Sequence, residues 1–561
     1  MAVFSVVDLL SVLAAANVVY LFGLAIYRLY LHPLAKYPGP LLWRLTQWPE
    51  ARSAWSGRRH IDLQLLHEQY GDVVRFGPDK LSFRTAQALY DIYTDRKANM
   101  IKTGWTHTGE RINPGITTHV LSDRQLHAAR RKLLNNAFSE RAMNSLDKYM
   151  LERIRDWCAY LGQGGDDDDK PAEKPAGTWG KELDMGQWST LLTIDVLGEL
   201  CFGASFNAMK TGACYIMDLL LSSARFQQQV SFIPIRELLY PLMKPAPLSR
   251  IGRLIGSQNL LNKVRFRQDV SVYVERRFAV EKADADKAEE DQRRDFFYYL
   301  LHAKDPSTGD RFLPKDLVGE AALLIGAGSD TSSTAMSALF FYLLRNERAL
   351  TKLQAEVRGA FGDDVEEIRY SAKLTGLPYL RACVDEAMRM SPPVPGLLDR
   401  LVLAGGARID GHDIPAGTTV GVPIYAIHHN ERYFPRSYSF IPERWIPPSA
   451  AGADHSHDED TGFTVTPTSV EVAKSAFHAF SSGPRGCVGK NMAYMELLTA
   501  VARVMFLYDV RLKPGDHTGE GGGRDAAAAE KGRERPGEYQ LKDWLISDRA
   551  GPVVQFKPRA G

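Results

Sequence analysis

Cys487 lies in the stretch Phe480-Ser-Ser-Gly483-Pro-Arg485-Gly-Cys487-Val-Gly489. A deprotonated thiol is a nucleophile and a metal ligand. Glycines around it let the backbone come close to a flat ligand. A cation two positions earlier faces an anion nearby. At average residue usage, five fixed residues at these spacings arise by chance with a probability of about 10⁻⁴. An ordinary buried cysteine is the plainer reading, and the neighbours of Cys487 argue against it. Cys158, Cys201, Cys214 and Cys383 have no such company. They form no CxxC pair, zinc spacing or disulfide rhythm, so they read as buried residues of a reducing compartment.

Two more constellations carry chemistry. In Ala327-Gly328-Ser329-Asp330-Thr331-Ser332, a glycine and several polar residues interrupt an apolar helical pattern. Glycine weakens a helix, and Ser or Thr can bond back to carbonyls one turn earlier. The expected result is a bent polar notch offering a hydroxyl and a carboxylate; a small-residue kink is the plainer reading. In Glu386-Ala-Met-Arg389, opposite charges at i and i+3 share a helix face. That spacing recurs at Glu152/Arg155, Glu290/Arg293, Glu366/Arg369 and Glu530/Arg533. Context selects Glu386, which lies in an apolar helix followed by Ser391-Pro392-Pro393, with Pro442-Glu-Arg444-Trp445 later.

Together these segments resemble the cytochrome P450 family, whose haem-binding loop carries the axial Cys thiolate. The resemblance implies a mainly α fold with small β-sheet regions, and haem b with Cys487 as its iron ligand. It implies that Phe480 and Gly489 belong to the haem loop, and that the N–H groups of Gly489 and Lys490 temper the sulfur. It assigns Thr331 to oxygen activation and Asp330 to proton delivery. It pairs Glu386 and Arg389 with Arg444 in a structural charge network. Haem brings two propionates, so His127, Arg131, Arg400 and Arg485 are expected to converge on them. His127 stands where many family members have Trp.

Periodicity places these groups on elements. Leu126 to Phe138, Trp188 to Phe202, Leu317 to Leu344 and Tyr379 to Met390 carry apolar residues at helical spacing. Val73 to Phe76 and Leu81 to Phe83 read as strands about a Gly77-Pro78-Asp79 turn. A second β-rich patch surrounds Asp410-Gly411. Gly162–Gly177, Pro447–Val472 and Pro514–Gly537 are low in apolar surface and are expected to be solvated loops. His455 and His457 in the second could bind a metal, though a plain loop is the simpler expectation.

Residues Leu9 to Tyr27 are nearly all apolar, long enough to span a bilayer. No Lys or Arg precedes them, whereas Arg28, Lys36 and Arg44 follow, which places the remainder in the cytosol. A cleaved signal peptide is the alternative, but the basic leading region is missing. The expected organisation is a single-pass anchor over 1–27, a proline-rich hinge over 28–45 and a catalytic domain over 46–561. The endoplasmic reticulum is the expected membrane.

The chain has 561 residues, 45% of them hydrophobic and 24% charged, with a net charge of +2. Those values are ordinary for a globular protein, and the charge gives no reason to expect a nucleic-acid partner. The resemblance implies a monooxygenase using O₂, with NADPH-cytochrome P450 reductase as electron donor. Arg130, Lys132 and Lys490 could form its docking face. A haem-thiolate isomerase or dehydratase, or a haem sensor, is disfavoured by the Asp330/Thr331 pair. Substrate contacts are expected from Lys102 to Asp123, Phe206 to Pro247, the Ile325 face of the helix over 317–344, and Pro393 to Leu397. Phe226, Phe232, Ile233 and Ile235 suit a hydrophobic substrate entering from the membrane. The hinge and the Arg130-Arg131 helix resemble those of filamentous-fungal P450s of secondary metabolism, which suggests a polyketide, terpenoid or alkaloid. A small aromatic acid or a xenobiotic is the alternative.

Overall fold

The computed structural model describes residues 6–112, 117–162, 178–213, 215–243, 245–254, 256–284, 287, 292–305, 308–448, 456–459, 461–522 and 530–559. The helix Pro314–Leu343 runs unbroken through the body, with most of its side chains buried. It packs against Met185–Phe202, Pro378–Met390 and Lys490–Leu507. Leu192, Met336, Phe340, Leu380, Met495 and Val501 are fully buried where these helices meet. Burying such apolar side chains is the main term holding the bundle together, at about 1.5–3 kcal/mol each.

Gly326 and Gly328 serve packing in this helix. A Cβ on Gly326 would come within 2.8 Å of Leu220, and one on Gly328 within 2.7 Å of Leu197. These glycines let two neighbouring helices approach closely, and the helix continues past them.

A five-stranded sheet lies apart from the bundle. Its order is Val73–Gly77, Lys80–Phe83, Thr419–Gly421, Arg400–Val402, Met100–Lys102. Lys80–Phe83 pairs parallel with Thr419–Gly421, and the other pairs are antiparallel. The β patch around Asp410-Gly411 is the hairpin Ala407–Ile409/His412–Ile414. Both turn residues adopt positive φ, which Asp and Gly tolerate.

The solvated-loop expectation for Pro447–Val472 needs correction. The described part holds a hairpin, Ser456–Asp458 with Phe463–Val465, and the start of the helix Pro467–Ala476. Phe463, Val465 and Val470 close with Ile441 into a small buried cluster, so a few well-placed apolar residues suffice to order it. His457 meets Thr464 Oγ1 at 2.9 Å, and His455 lies outside the described residues. Residues 163–177 also lie outside them, as does Cys214. Within Pro514–Gly537, Gly532 is buried and a Cβ there would collide with Ile61, so this segment is packed in part.

The N-terminal helix Val6–Ile26 has no buried residue. Among the described residues, Val6–Leu31 is the one helical stretch long and apolar enough to cross a membrane. The hinge is folded back rather than extended. Arg28 donates to the Leu45 carbonyl at 2.6 Å, Arg44 donates to Leu29 and Ala35, and Leu34 and Tyr37 are buried.

Candidate active site

Cys487 follows a short 3-10 turn, Gly483–Arg485, and precedes the helix Lys490–Leu507. Its N–H donates to the Phe480 carbonyl at 2.9 Å, which closes the loop. Gly483 has φ 65° and lies so close to the Tyr93 carbonyl that any side chain would collide. Cys158, Cys201 and Cys383 are buried, whereas the Cys487 side chain keeps an open face. Protein packed around it pushes the thiol pKa up by desolvation. The Gly489 N–H, Arg131 and Lys490 act in the opposite direction. Lys490 also lies over the Phe480 ring.

Four cations gather near this loop. Lys102 and Arg400 are directly opposite on adjacent antiparallel strands, and both are buried. Like charges directly opposite destabilise a sheet. Arg131 donates to the Gly486 carbonyl at 2.8 Å, and Arg485 to the Leu121 carbonyl at 2.6 Å. Among the described residues, no carboxylate forms an ion pair with Lys102, Arg131, Arg400 or Arg485. Desolvation, then Arg400, Arg485 and Arg131, push the Lys102 pKa well below its ordinary value. His119 is lowered in the same way, first by burial and then by Lys102, Arg400 and Arg485. His127 falls to about 3, through burial and then Arg485 and Lys102. Lys102 and Arg400 are buried and Arg131 and Arg485 half-buried, and such a group is costly unless an anion joins it. A planar metal-bearing ligand with two carboxylates fits the donor set: the cations would hold the carboxylates and the soft thiol would ligate the metal. Lys102 and His119 were not singled out by sequence. Lys102 sits in a three-residue strand, and its partner Arg400 is far along the chain.

On the helix Pro314–Leu343, Leu323, Ala327 and Thr331 form the accessible stripe. Ile325 and Ser329 are fully buried in the core. The expected Ile325 face therefore needs correction: at about 100° per residue, Ile325 points away from the side that carries Thr331. Thr331 Oγ1 donates to the Ala327 carbonyl at 2.7 Å. Asp330 pairs with Arg549 at 3.0 Å, and both are buried. Arg549 also donates to Thr190 Oγ1 at 2.9 Å. Desolvation raises the Asp330 pKa against the pull of Arg549, and Asp330 Oδ2 has no partner.

The charge network is fully built. Arg389 Nε donates to Glu386 Oε2 at 2.8 Å, and Arg389 Nη2 to Oε1 at 2.9 Å. Arg444 Nε donates to Oε1 at 3.0 Å, and Trp445 Nε1 to Oε2 at 3.0 Å. Burial pushes the Glu386 carboxyl up, but Arg389 and Arg444 hold it below its ordinary range. Arg130 is not available for docking as expected, since it pairs with Asp316 at 3.0 Å. Lys132 pairs with Asp305 at 2.9 Å.

An exposed thiol loop, a cation cluster and an accessible stripe carrying Thr331 on a buried helix together make the candidate site. The sequence profile described as Cytochrome P450 matches residues 35–520. The chain belongs to the cytochrome P450 family. It is 33% identical to the cytochrome P450 monooxygenase fscF of Fusarium equiseti over 99% of this chain and 97% of the relative. It is 34% identical to the cytochrome P450 monooxygenase AKT7 of Alternaria alternata, over 98% and 97%. It is also 34% identical to the cytochrome P450 monooxygenase poxM of Penicillium oxalicum, over 96% and 93%. The chain is an oxidoreductase of the monooxygenase class.

Proposed function

We propose that Cys487 is the axial ligand of haem b and that the propionates lie among Arg131, Arg400, Arg485, His127, Lys102 and His119. The observation that carries this reading is a cluster of buried and half-buried cations, Lys102, Arg131, Arg400 and Arg485, none in an ion pair with a carboxylate among the described residues, beside an accessible thiol. When bound, haem supplies oxygen activation at iron. Phe480 and Gly489 shape the loop that carries Cys487. Thr331 presents a hydroxyl on the accessible stripe, and Asp330 holds a proton at its unpartnered Oδ2 while Arg549 fixes the other oxygen.

The substrate is a hydrophobic scaffold of secondary metabolism: a polyketide, terpenoid or alkaloid. Exposed apolar residues support entry from a bilayer: Trp48, Trp55, Ile235, Leu238 and Leu242, together with the Val6–Ile26 helix. Trp55 Nε1 donates to the Gln229 carbonyl at 2.8 Å, which joins two of these regions. The anchor spans 1–27 in the endoplasmic reticulum, the hinge 28–45, and the catalytic domain 46–561 faces the cytosol. Electrons come from NADPH through the reductase, with Lys490 on the docking face. Cys487→Ala tests the assignment. The reduced, CO-treated variant is expected to lack the band near 450 nm; a normal band there refutes the ligand assignment.

A further inference from the structure

A small cavity of about 20 Å³, with both polar and apolar walls, lies among Arg59, Trp105, Gln228, Leu397, Asp543 and Leu545. Three of its wall residues lie near functional candidates along the chain. Trp105 follows Lys102 closely, Leu397 shortly precedes Arg400, and Leu545 shortly precedes Ser547. The Ser547 carbonyl accepts from Thr334 on the Pro314–Leu343 helix at 3.4 Å. Trp105, Gln228 and Leu397 come from three of the segments expected to contact substrate, over 102–123, 206–247 and 393–397.

Asp543 is its main feature. The side chain is 2% exposed. Oδ1 accepts the Leu545 N–H at 3.1 Å, while Oδ2 is buried with no partner. Gly396 leaves room for it, since a Cβ there would come within 2.6 Å of Oδ2. Leu545 is held at φ 75°, a strained conformation for a leucine, at the tip between strands Lys542–Trp544 and Ile546–Asp548. Trp105 lines the same cavity, and its Nε1–H is buried without an acceptor.

Charge balance narrows the ligand. Arg59 donates to Glu50 at 3.0 Å, Asp399 at 3.2 Å and the Leu397 carbonyl at 3.4 Å. Lys80 donates to Glu50 at 2.7 Å. Three carboxylates, Glu50, Asp399 and Asp543, thus face two cations, Arg59 and Lys80. A carboxylate on the ligand would add to the excess. Asp543 Oδ2 has no donor and Trp105 Nε1–H no acceptor, and one ligand oxygen can serve both. The cavity volume suits a single such group.

We infer that this cavity holds a hydroxyl at the end of the substrate remote from the oxidised carbon. The hydroxyl donates to Asp543 Oδ2 and accepts from Trp105 Nε1–H. The inference rests on the haem-bound reading above and narrows its substrate class to hydroxylated scaffolds. It disfavours small aromatic acids.

The test uses haem-loaded protein and paired 1-(ω-hydroxyalkyl)- and 1-(ω-methoxyalkyl)imidazoles of graded chain length. The imidazole ligates iron, so its Soret shift reports binding whatever the natural substrate. At one chain length the hydroxyl member should bind about tenfold tighter. Asp543→Asn keeps an Oδ1 for Leu545 but places an amide donor where Oδ2 was, so the preference should fall to about one. Trp105→Phe, which leaves the hairpin untouched, should reduce it severalfold. Equal affinities at every length, or a preference unchanged in both variants, would overturn the inference while leaving the haem assignment standing. If no imidazole shifts the Soret band, the haem assignment fails and this inference falls with it.

Discussion

His428 Nε2 accepts the main-chain N–H of His478 at 2.9 Å, while His428 Nδ1 meets the Arg389 carbonyl at 3.1 Å. An acceptor at Nε2 puts the proton on Nδ1, where it donates to that carbonyl. The ring is thus a neutral bridge between the charge network and the segment leading into the thiol loop. Burial, then Arg389, keep its pKa well below the ordinary imidazole range. His428→Phe should leave the His478 N–H unpaired, at a cost of about 1–3 kcal/mol. The expected result is a lower melting temperature and faster haem loss to apomyoglobin. Unchanged haem loss would show that the bridge does not support the loop.

Glu386→Gln removes the charge that two buried guanidinium groups share. Breaking such a network costs about 3–5 kcal/mol. The Glu386 carboxyl is depressed in the fold, so its contribution is complete above its ordinary value of 4.5 and is lost as pH falls through the folded value. Denaturant titrations of wild type should therefore weaken below that pH. The variant should start weaker and lack this component.

Lys102→Met separates the empty and loaded forms of the protein. In the apoprotein it removes a buried cation facing Arg400, Arg485 and Arg131, and should raise stability by about 1–3 kcal/mol. In the holoprotein it removes a propionate partner and should speed haem loss. Calorimetry of both forms checks the opposite signs. A variant less stable without haem would refute the role of repulsion in the cluster.

Asp330→Asn retains the shape beside Arg549 but cannot hold and release a proton. Turnover should fall by about 10²-fold, with a larger solvent isotope effect and little change in the substrate-induced spectral shift. An unchanged isotope effect would confine Asp330 to pairing with Arg549.

Glu538 is buried, accepts from the Tyr425 hydroxyl, and is raised by desolvation from 4.5 to about 7. A raised carboxyl favours the folded state fully below the lower value and loses that contribution as pH rises through the upper one. Wild type should lose about 3 kcal/mol across this interval. Glu538→Gln should flatten the profile there, as read by urea midpoints at stepped pH.

Local patterns were legible because their physics is local. Helical periodicity located Pro314–Leu343 and Pro378–Met390 to within a few residues, since each turn repeats the same choice of buried face. The glycines and Arg485 around Cys487 stood out because a tight thiol loop tolerates few alternatives. The apolar N-terminal segment was equally plain. The role of Gly328 was not legible: a glycine that bends a helix and one that admits Leu197 look alike in sequence.

The chain alone thus determined the class of chemistry, the axial sulfur candidate and the main helices. Tertiary packing decided which distant groups meet. Lys102 faces Arg400 only because two short strands pair, Arg130 is taken up by Asp316, and Asp543 reaches Gly396 at the tip of a late hairpin. Charges and hydrogen-bonding atoms act over a few ångströms, and sequence spacing does not report such distances once the chain has folded back on itself.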